Sequence, residues 1–243
     1  MPHSCRIRRN TARRSIASRL VVDVARQAGP GLRERKKQRT RAMLIEAAID
    51  LCDRQGFEQT TVEQIAAVAD VSPRTFSRYF ATKDAVVLAF VDEVIEIVAV
   101  ELAAQPAGIG DIEALYRAHV QAFLKTKSAP PTELTAERLL ASARIITSSP
   151  ALMQSASEFR VDAVNEVLSR RMGVPGDDRR LKLTALVWGS IVMTAIAELG
   201  SQRDWAGVTV DDIVRQIEAA YADFLEVVAG VKQPAGTFVV TRW

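Results

Sequence analysis

The chain concentrates its hydrogen-bonding chemistry in "DVSPRTFSRYFATKD", residues 70–84. Two guanidinium groups, Arg74 and Arg78, stand one helical turn apart. Around them lie the hydroxyls of Ser72, Thr75, Ser77 and Tyr79 and the ammonium of Lys83. On a wheel of about 100° per residue, Thr75, Phe76, Tyr79 and Phe80 share one side, and Pro73, Arg74, Ser77 and Arg78 share the other. A cationic, hydroxyl-bearing face on an apolar anchor suits recognition of a polyanion. An arginine so placed can donate two hydrogen bonds to one guanine's O6 and N7. Bond-making chemistry is poorly served. The chain has two histidines, no Cys/His metal spacing, no glycine-rich phosphate loop and no Gly-x-Ser-x-Gly elbow. Asp177-Asp178 and Asp211-Asp212 precede helical stretches and read as caps and dipole partners. No enzyme activity, metal or cofactor is expected.

Stepping those side chains into place requires short helices. Ser72 is a good N-cap and Pro73 fits the first helical position, where its missing N–H costs nothing. Upstream, Thr60 or Thr61 with Glu63 or Gln64 three residues on reads as a capping box, followed by Val62, Ile65 and Ala66 on one face. Asp70 stands in the turn between, and Asp tolerates positive φ better than most residues. Before it, Leu44, Ile45, Ala48, Leu51 and Cys52 recur at helical steps until Gly56 stops the run. Two short helices joined by a tight turn, the second with a cationic outer face, make a helix-turn-helix.

Charge is distributed unevenly. Residues 1–41 carry a net of +11 and the remainder −8, although the whole chain is only +3. A basic end on an acidic body suits a polyanion partner, with a solvated tail as the competing reading. Residues 1–32 read as a basic, disordered arm, broken from the rest by Gly29-Pro30-Gly31. Cys5 and Cys52 do not form a disulfide framework and point to a reducing, cytoplasmic setting. The uncharged stretch 183–197 is too short for a membrane span and reads as a deeply buried core or interface helix.

The residues "LIEAAIDLCDRQGFEQTTVEQIAAVADVSPRTFSRYFATKDAVVLAFV", 44–91, resemble the DNA-binding domain of the tetracycline-repressor (TetR/AcrR) family nearly throughout. The match includes Gly-Phe then Thr-Thr-Val, Ile-Ala, and Val-Ser-x-x-Thr-Phe-x-x-Tyr-Phe-x-x-Lys. Cys52 stands where Phe is usual, Asp70 where Gly is usual and Ser77 where Tyr is usual. The resemblance implies an all-α homodimer: a three-helix DNA-binding domain at 33–83, then a ligand-binding and dimerisation domain at 84–231, with a tail at 232–243. Helical segments are expected at about 83–104, 111–126, 133–147, 150–172, 178–200 and 210–230. The resemblance also implies that Thr61, Tyr79 and Lys83 grip the backbone of a double-stranded operator. Ser72, Pro73, Arg74, Thr75, Ser77 and Arg78 would then face bases or phosphates. The run "RERKKQRTR", 33–41, would add salt-sensitive affinity without sequence preference. Two copies predict a near-palindromic operator with half-sites about 34–36 Å apart or a longer multiple.

The segment "ERLLASARIITSSPALMQSASEF", 137–159, loosely resembles the C-terminal domain of an actinobacterial branch that includes regulators responding to long-chain acyl-CoA. That resemblance implies a small apolar or acyl-type effector. Phe123, Leu140, Ile146, Met153, Trp188 and Met193 would line its tunnel, and Arg144 would meet its phosphate or carboxylate. His119 reads as a satisfied or exposed helix residue. Segments 178–199 and 210–230 suit the four-helix interface of a dimer, or the core of one monomer. The expected function is a sequence-specific, ligand-responsive regulator, a repressor by family default. The alternative is a ligand-independent architectural DNA-binder.

Overall fold

The computed structural model describes residues 31–130, 133–157, 161–201, 205 and 207–230, and every regular element among them is a helix. The expected arm at 1–32 lies almost wholly outside the described residues, as does the tail at 232–243. In order the helices are α1 (Leu32–Gln55), α2 (Val62–Val68), α3 (Pro73–Tyr79), α4 (Lys83–Ala103), α5 (Asp111–Thr126), α6 (Ala136–Ser148), α7 (Pro150–Ser157), α8 (Asp162–Met172), α9 (Arg179–Ser201) and α10 (Val210–Ala229). The chain divides into two compact units, Met1–Met43 and Leu44–Trp243. Of the first, only the exposed, arginine- and lysine-rich opening turns of α1 are described.

Within the second unit, local chemistry sets the helix ends. Gly56 takes φ +87°, and its N–H donates to the Cys52 carbonyl at 2.9 Å, which stops α1. Of the capping-box alternatives, Thr61 and Gln64 form the pair. The Gln64 N–H donates to Thr61 Oγ1 at 3.2 Å, and the Thr61 N–H donates to Gln64 Oε1 at 2.9 Å. Asp70 is in the left-handed region at φ +52°, and beyond it the Val71 N–H returns to the Ala66 carbonyl at 2.9 Å. Ser72 caps α3 through the Thr75 N–H at 3.1 Å. Thr82 and Thr209 cap α4 and α10 in the same way.

The body is a bundle in which α4 packs on α5 and α8, and α9 runs along α10. Leu102, Leu115, Ile145, Leu152, Leu168, Leu181, Leu199 and Ile217 fill its centre. The expected single segment at 150–172 is instead two helices, α7 and α8. The uncharged part of α9 is not a deeply buried core helix: Trp188, Ile191 and Ala195 face inward, but Leu183 and Leu186 are 54% and 68% exposed. Residues Arg179–Gly200 are long and apolar enough to cross a membrane by length and composition alone. The inward-facing side of α9 instead belongs to the same core as the other helices.

Candidate nucleic-acid interface

The face of α3 is built on its own anchor. Phe76 is buried to 1% exposure, and its ring lies 5.9 Å from that of Phe80, which is also buried. Those two rings, with the core residues Ile65, Ala66 and Ala69, fix the rotation of α3. The opposite residues then follow from helical geometry. Ser72, Pro73, Arg74, Ser77 and Arg78 are exposed, while Thr75 and Tyr79 are half-buried at the rim. The division of bulk and charge expected from the wheel is the one observed.

The hydroxyls are partly committed to the helix itself. Ser72 Oγ accepts from the Thr75 N–H and lies 3.0 Å from Thr75 Oγ1. Ser77 Oγ donates to the Pro73 carbonyl at 3.1 Å. Arg78 lies over the Tyr79 ring at 5.2 Å from its centroid, which orients its guanidinium along the face. Arg74 carries no hydrogen bond or ion pair among the described residues, so both edges of its fork are free for an outside acceptor.

Thr61 and Lys83 flank this face, and each already has work within the fold. Thr61 caps α2. Lys83, at the start of α4, donates through Nζ to the Phe57 carbonyl at 2.7 Å and sits 4.0 Å from the Phe57 ring centroid. Sequence reasoning missed this second role. It also missed Gln55, whose side-chain amide donates to the Gln59 carbonyl at 3.0 Å and to Gln64 Oε1 at 3.0 Å. Gln55 thereby ties the end of α1 to the capping box of α2. Only its place just before Gly56 could have marked it.

The residues expected to line an effector tunnel fall on α5, α6, α7 and α9. Phe123, Ile146 and Trp188 are buried in the core, and Leu140 and Met153 pack against it half-buried; Met193 is also half-buried. Arg144 is engaged elsewhere: its Nε donates to Asp53 Oδ1 at 2.7 Å, and its Nη2 meets the same oxygen. Two of the polar groups buried inside the body are Ser142, which was not anticipated, and His119, expected as a satisfied or exposed helix residue and found to be the satisfied one. Ser142 is buried on α6, and its hydroxyl has no hydrogen-bond partner among the described residues. His119 is fully buried and satisfied. Its Nδ1 lies 2.9 Å from the Leu115 carbonyl, and the Trp188 indole N–H points at the ring, 3.0 Å from Nδ1 and 3.3 Å from Nε2. A carbonyl can only accept and an indole N–H can only donate. Nδ1 therefore carries the proton and Nε2 offers the lone pair. Burial pushes the His119 pKa down to about 4. No cluster of metal-ligating side chains occurs among the described residues.

Residues 44–90 match the family of bacterial regulatory proteins described as tetR. The chain is 35% identical over 153 residues to the HTH-type transcriptional regulator TcmR of Streptomyces glaucescens, covering 62% of this chain and 68% of TcmR. Among solved structures, it is similar to FadR of Thermus thermophilus, a TetR-family repressor in complex with lauroyl-CoA. The TM-score is 0.45 at 22% identity, over 81% of this chain and 99% of FadR. It is also similar to SmeT, the repressor of the SmeDEF multidrug efflux pump of Stenotrophomonas maltophilia. There the TM-score is 0.48 at 19% identity, over 81% and 94% of the two chains.

Proposed function

Because the chain belongs to the TetR family of bacterial regulatory proteins, we propose that it is an effector-released repressor that binds a near-palindromic operator as a homodimer. The family consists of DNA-binding regulators rather than enzymes, and this chain is one of them. In the proposed complex α3 lies in the major groove. Arg74 reads a guanine, Pro73 and Thr75 meet thymine methyls, and Ser77 and Arg78 reach bases or phosphates. Ser72, Thr61, Tyr79 and Lys83 fix register on the backbone. The observation that carries this reading is the uncommitted, exposed Arg74 on a helix locked by the buried Phe76.

Dimerisation is supported by α9 and α10. Besides Leu183 and Leu186, they leave Leu225, Val227 and Val228 open to solvent. Exposed apolar side chains this concentrated call for a partner, and a second copy is the partner a palindrome demands. The domain arrangement follows: 33–83 reads DNA, and 84–231 binds effector and partner copy. The apolar interior, with Phe123, Leu140, Ile146, Met153, Trp188 and Met193, suits a small apolar or acyl-type effector. The unpartnered Ser142 hydroxyl offers it a hydrogen bond. A cytoplasmic location accompanies this role.

Fluorescence anisotropy of the protein on its own upstream DNA and on a scrambled duplex tests the reading. The wild type is expected to prefer its own DNA, and Arg74→Ala to lose about 1–3 kcal/mol of that preference. Equal binding of both duplexes, unchanged in Arg74→Ala, would instead favour a nonspecific architectural binder. Titration of lauroyl-CoA into the operator complex is the first effector test.

A further inference from the structure

We propose that the effector of this body is an uncharged, largely apolar molecule carrying a hydroxyl or amide group, held by a hydrogen bond to Ser142. This rests on the regulator reading above and narrows its effector from apolar or acyl-type to neutral. Ser142 is 2% exposed, and its hydroxyl has no hydrogen-bond partner among the described residues. A serine inside a helix has a ready partner in the carbonyl three or four residues back. The other two hydroxyls of α6 use it. Thr147 donates to the Ala143 carbonyl at 2.9 Å, and Ser148 donates to the Ile145 carbonyl at 2.7 Å. Ser142 forgoes that bond, and a buried hydroxyl without a partner costs free energy that a ligand group can recover. A second orphan lies on α8: Asn165 Oδ1 is closed off from solvent and also lacks a partner among the described residues. It can only accept, so the ligand it suits brings an O–H or N–H. Both α6 and α8 pack on α5 and α9, the helices that give Phe123, His119 and Trp188 to the core.

The charges around these atoms are already committed. All four arginines of α6 and α8 pair within the chain: Arg138 with Glu93 at 3.2 Å, Arg144 with Asp53, Arg170 with Glu166 at 3.6 Å and Arg171 with Asp111 at 3.2 Å. Arg171 also donates to the carbonyls of Gln105, Pro106 and Ile109. On α5, Arg117 pairs with Glu113 and Lys125 with Glu101. His119 is buried as the neutral ring, engaged by the Leu115 carbonyl and the Trp188 indole N–H. A carboxylate or phosphate head would shed its water here and meet no uncommitted cation on α5, α6 or α8. A cationic head fares no better, because the carboxylates of α6 and α8, Glu137, Asp162 and Glu166, are all exposed. Neutral hydrogen bonding is what these helices leave on offer.

Thermal shift on the full chain, without DNA, tests the proposal. The probes are two apolar scaffolds, dodecyl and naphthylmethyl, each as its alcohol, its carboxylate and its amine. At least one alcohol is expected to raise the melting temperature and to bind roughly tenfold tighter than the charged forms of the same scaffold. Ser142→Ala is expected to lose roughly tenfold of that affinity. Without any probe, Ser142→Ala should melt about 2–4 °C above the wild type, because it removes an unsatisfied group and breaks no hydrogen bond. Charged forms that bind as well as the alcohols, binding by neither alcohol, or an affinity unchanged in Ser142→Ala each overturns the proposal. So does a Ser142→Ala protein that melts below the wild type, since its hydroxyl would then already be satisfied. Anisotropy on DNA, run in parallel, keeps the two readings apart. Alcohols bound through Ser142 by a protein that prefers no duplex would sink the regulator reading and leave the site standing.

Discussion

The Lys83 ammonium is held on two sides by a single residue, Phe57: it donates to the Phe57 carbonyl at 2.7 Å and lies 4.0 Å from the centroid of the Phe57 ring. The lysine opens α4, and the phenylalanine follows the glycine that closes α1. One side chain therefore bridges the first and last boundaries of the reading head.

An ammonium has three N–H donors, and Phe57 takes one. Lys83→Met is therefore expected to act twice. It removes a charge-assisted hydrogen bond and lowers stability by about 1–3 kcal/mol in urea melts. It also reduces the slope of log operator affinity against log salt by about one, the signature of one lost phosphate contact. An unchanged slope with reduced stability would assign Lys83 to the clasp alone.

Phe76 and Arg74 lie on opposite faces of α3 and should separate cleanly. Phe76→Ala removes a ring buried to 1% and should cost about 3–5 kcal/mol of stability. Arg74→Ala should leave the melting curve unchanged and reduce only discrimination between operator and scrambled DNA. Equal losses of stability in the two variants would mean that α3 is packed differently.

Leu183 and Leu186 are the most exposed leucines of α9. The double change Leu183→Glu with Leu186→Glu places charge on the proposed dimer face without touching the core. Sedimentation should show a folded monomer, and affinity for a two-half-site operator should fall by much more than affinity for a half-site. A dimer that persists would place the interface elsewhere.

His119 gives the body a pH dependence. Its folded pKa, about 4, lies below the ordinary value of 6.5, so the unfolded chain takes up the proton first. The stabilising contribution of the neutral ring is complete above pH 6.5. It is lost progressively as pH falls toward 4, by about 3 kcal/mol over the full window. Protonation would also set an N–H against the Trp188 indole N–H, which cannot accept. Comparing urea melts of wild type and His119→Gln between pH 7 and 5 should show a steeper decline for wild type. Parallel declines would assign the pH dependence to other groups.

The reading head was largely legible because its signals are local. Ser72-Pro73, Gly56 and the helical step of Phe76 and Phe80 each act within a turn of where they stand. The capping box could be narrowed to two threonines, and only the coordinates chose Thr61. The ties across the chain were not legible. Arg144 lies 91 residues from Asp53, and nothing in its neighbourhood distinguishes an arginine meant for a carboxylate of the same chain from one meant for a ligand. His119 was likewise ambiguous, since its satisfaction depends on Trp188, 69 residues away. The break between α7 and α8 was missed because helical composition continues through it.

The left-handed Asp70 has a consequence for how this regulator can change over generations. It occupies a turn where glycine would relieve the backbone, and it brings a negative charge close to a surface built for a polyanion. An aspartate codon is a single nucleotide step from both glycine and asparagine. Either change removes the charge while keeping a residue that accepts positive φ, at a stability difference within about 1 kcal/mol. In the proposed complex, loss of this charge is expected to tighten operator binding, so the strength of control could be adjusted at the turn without altering Arg74 and its neighbours.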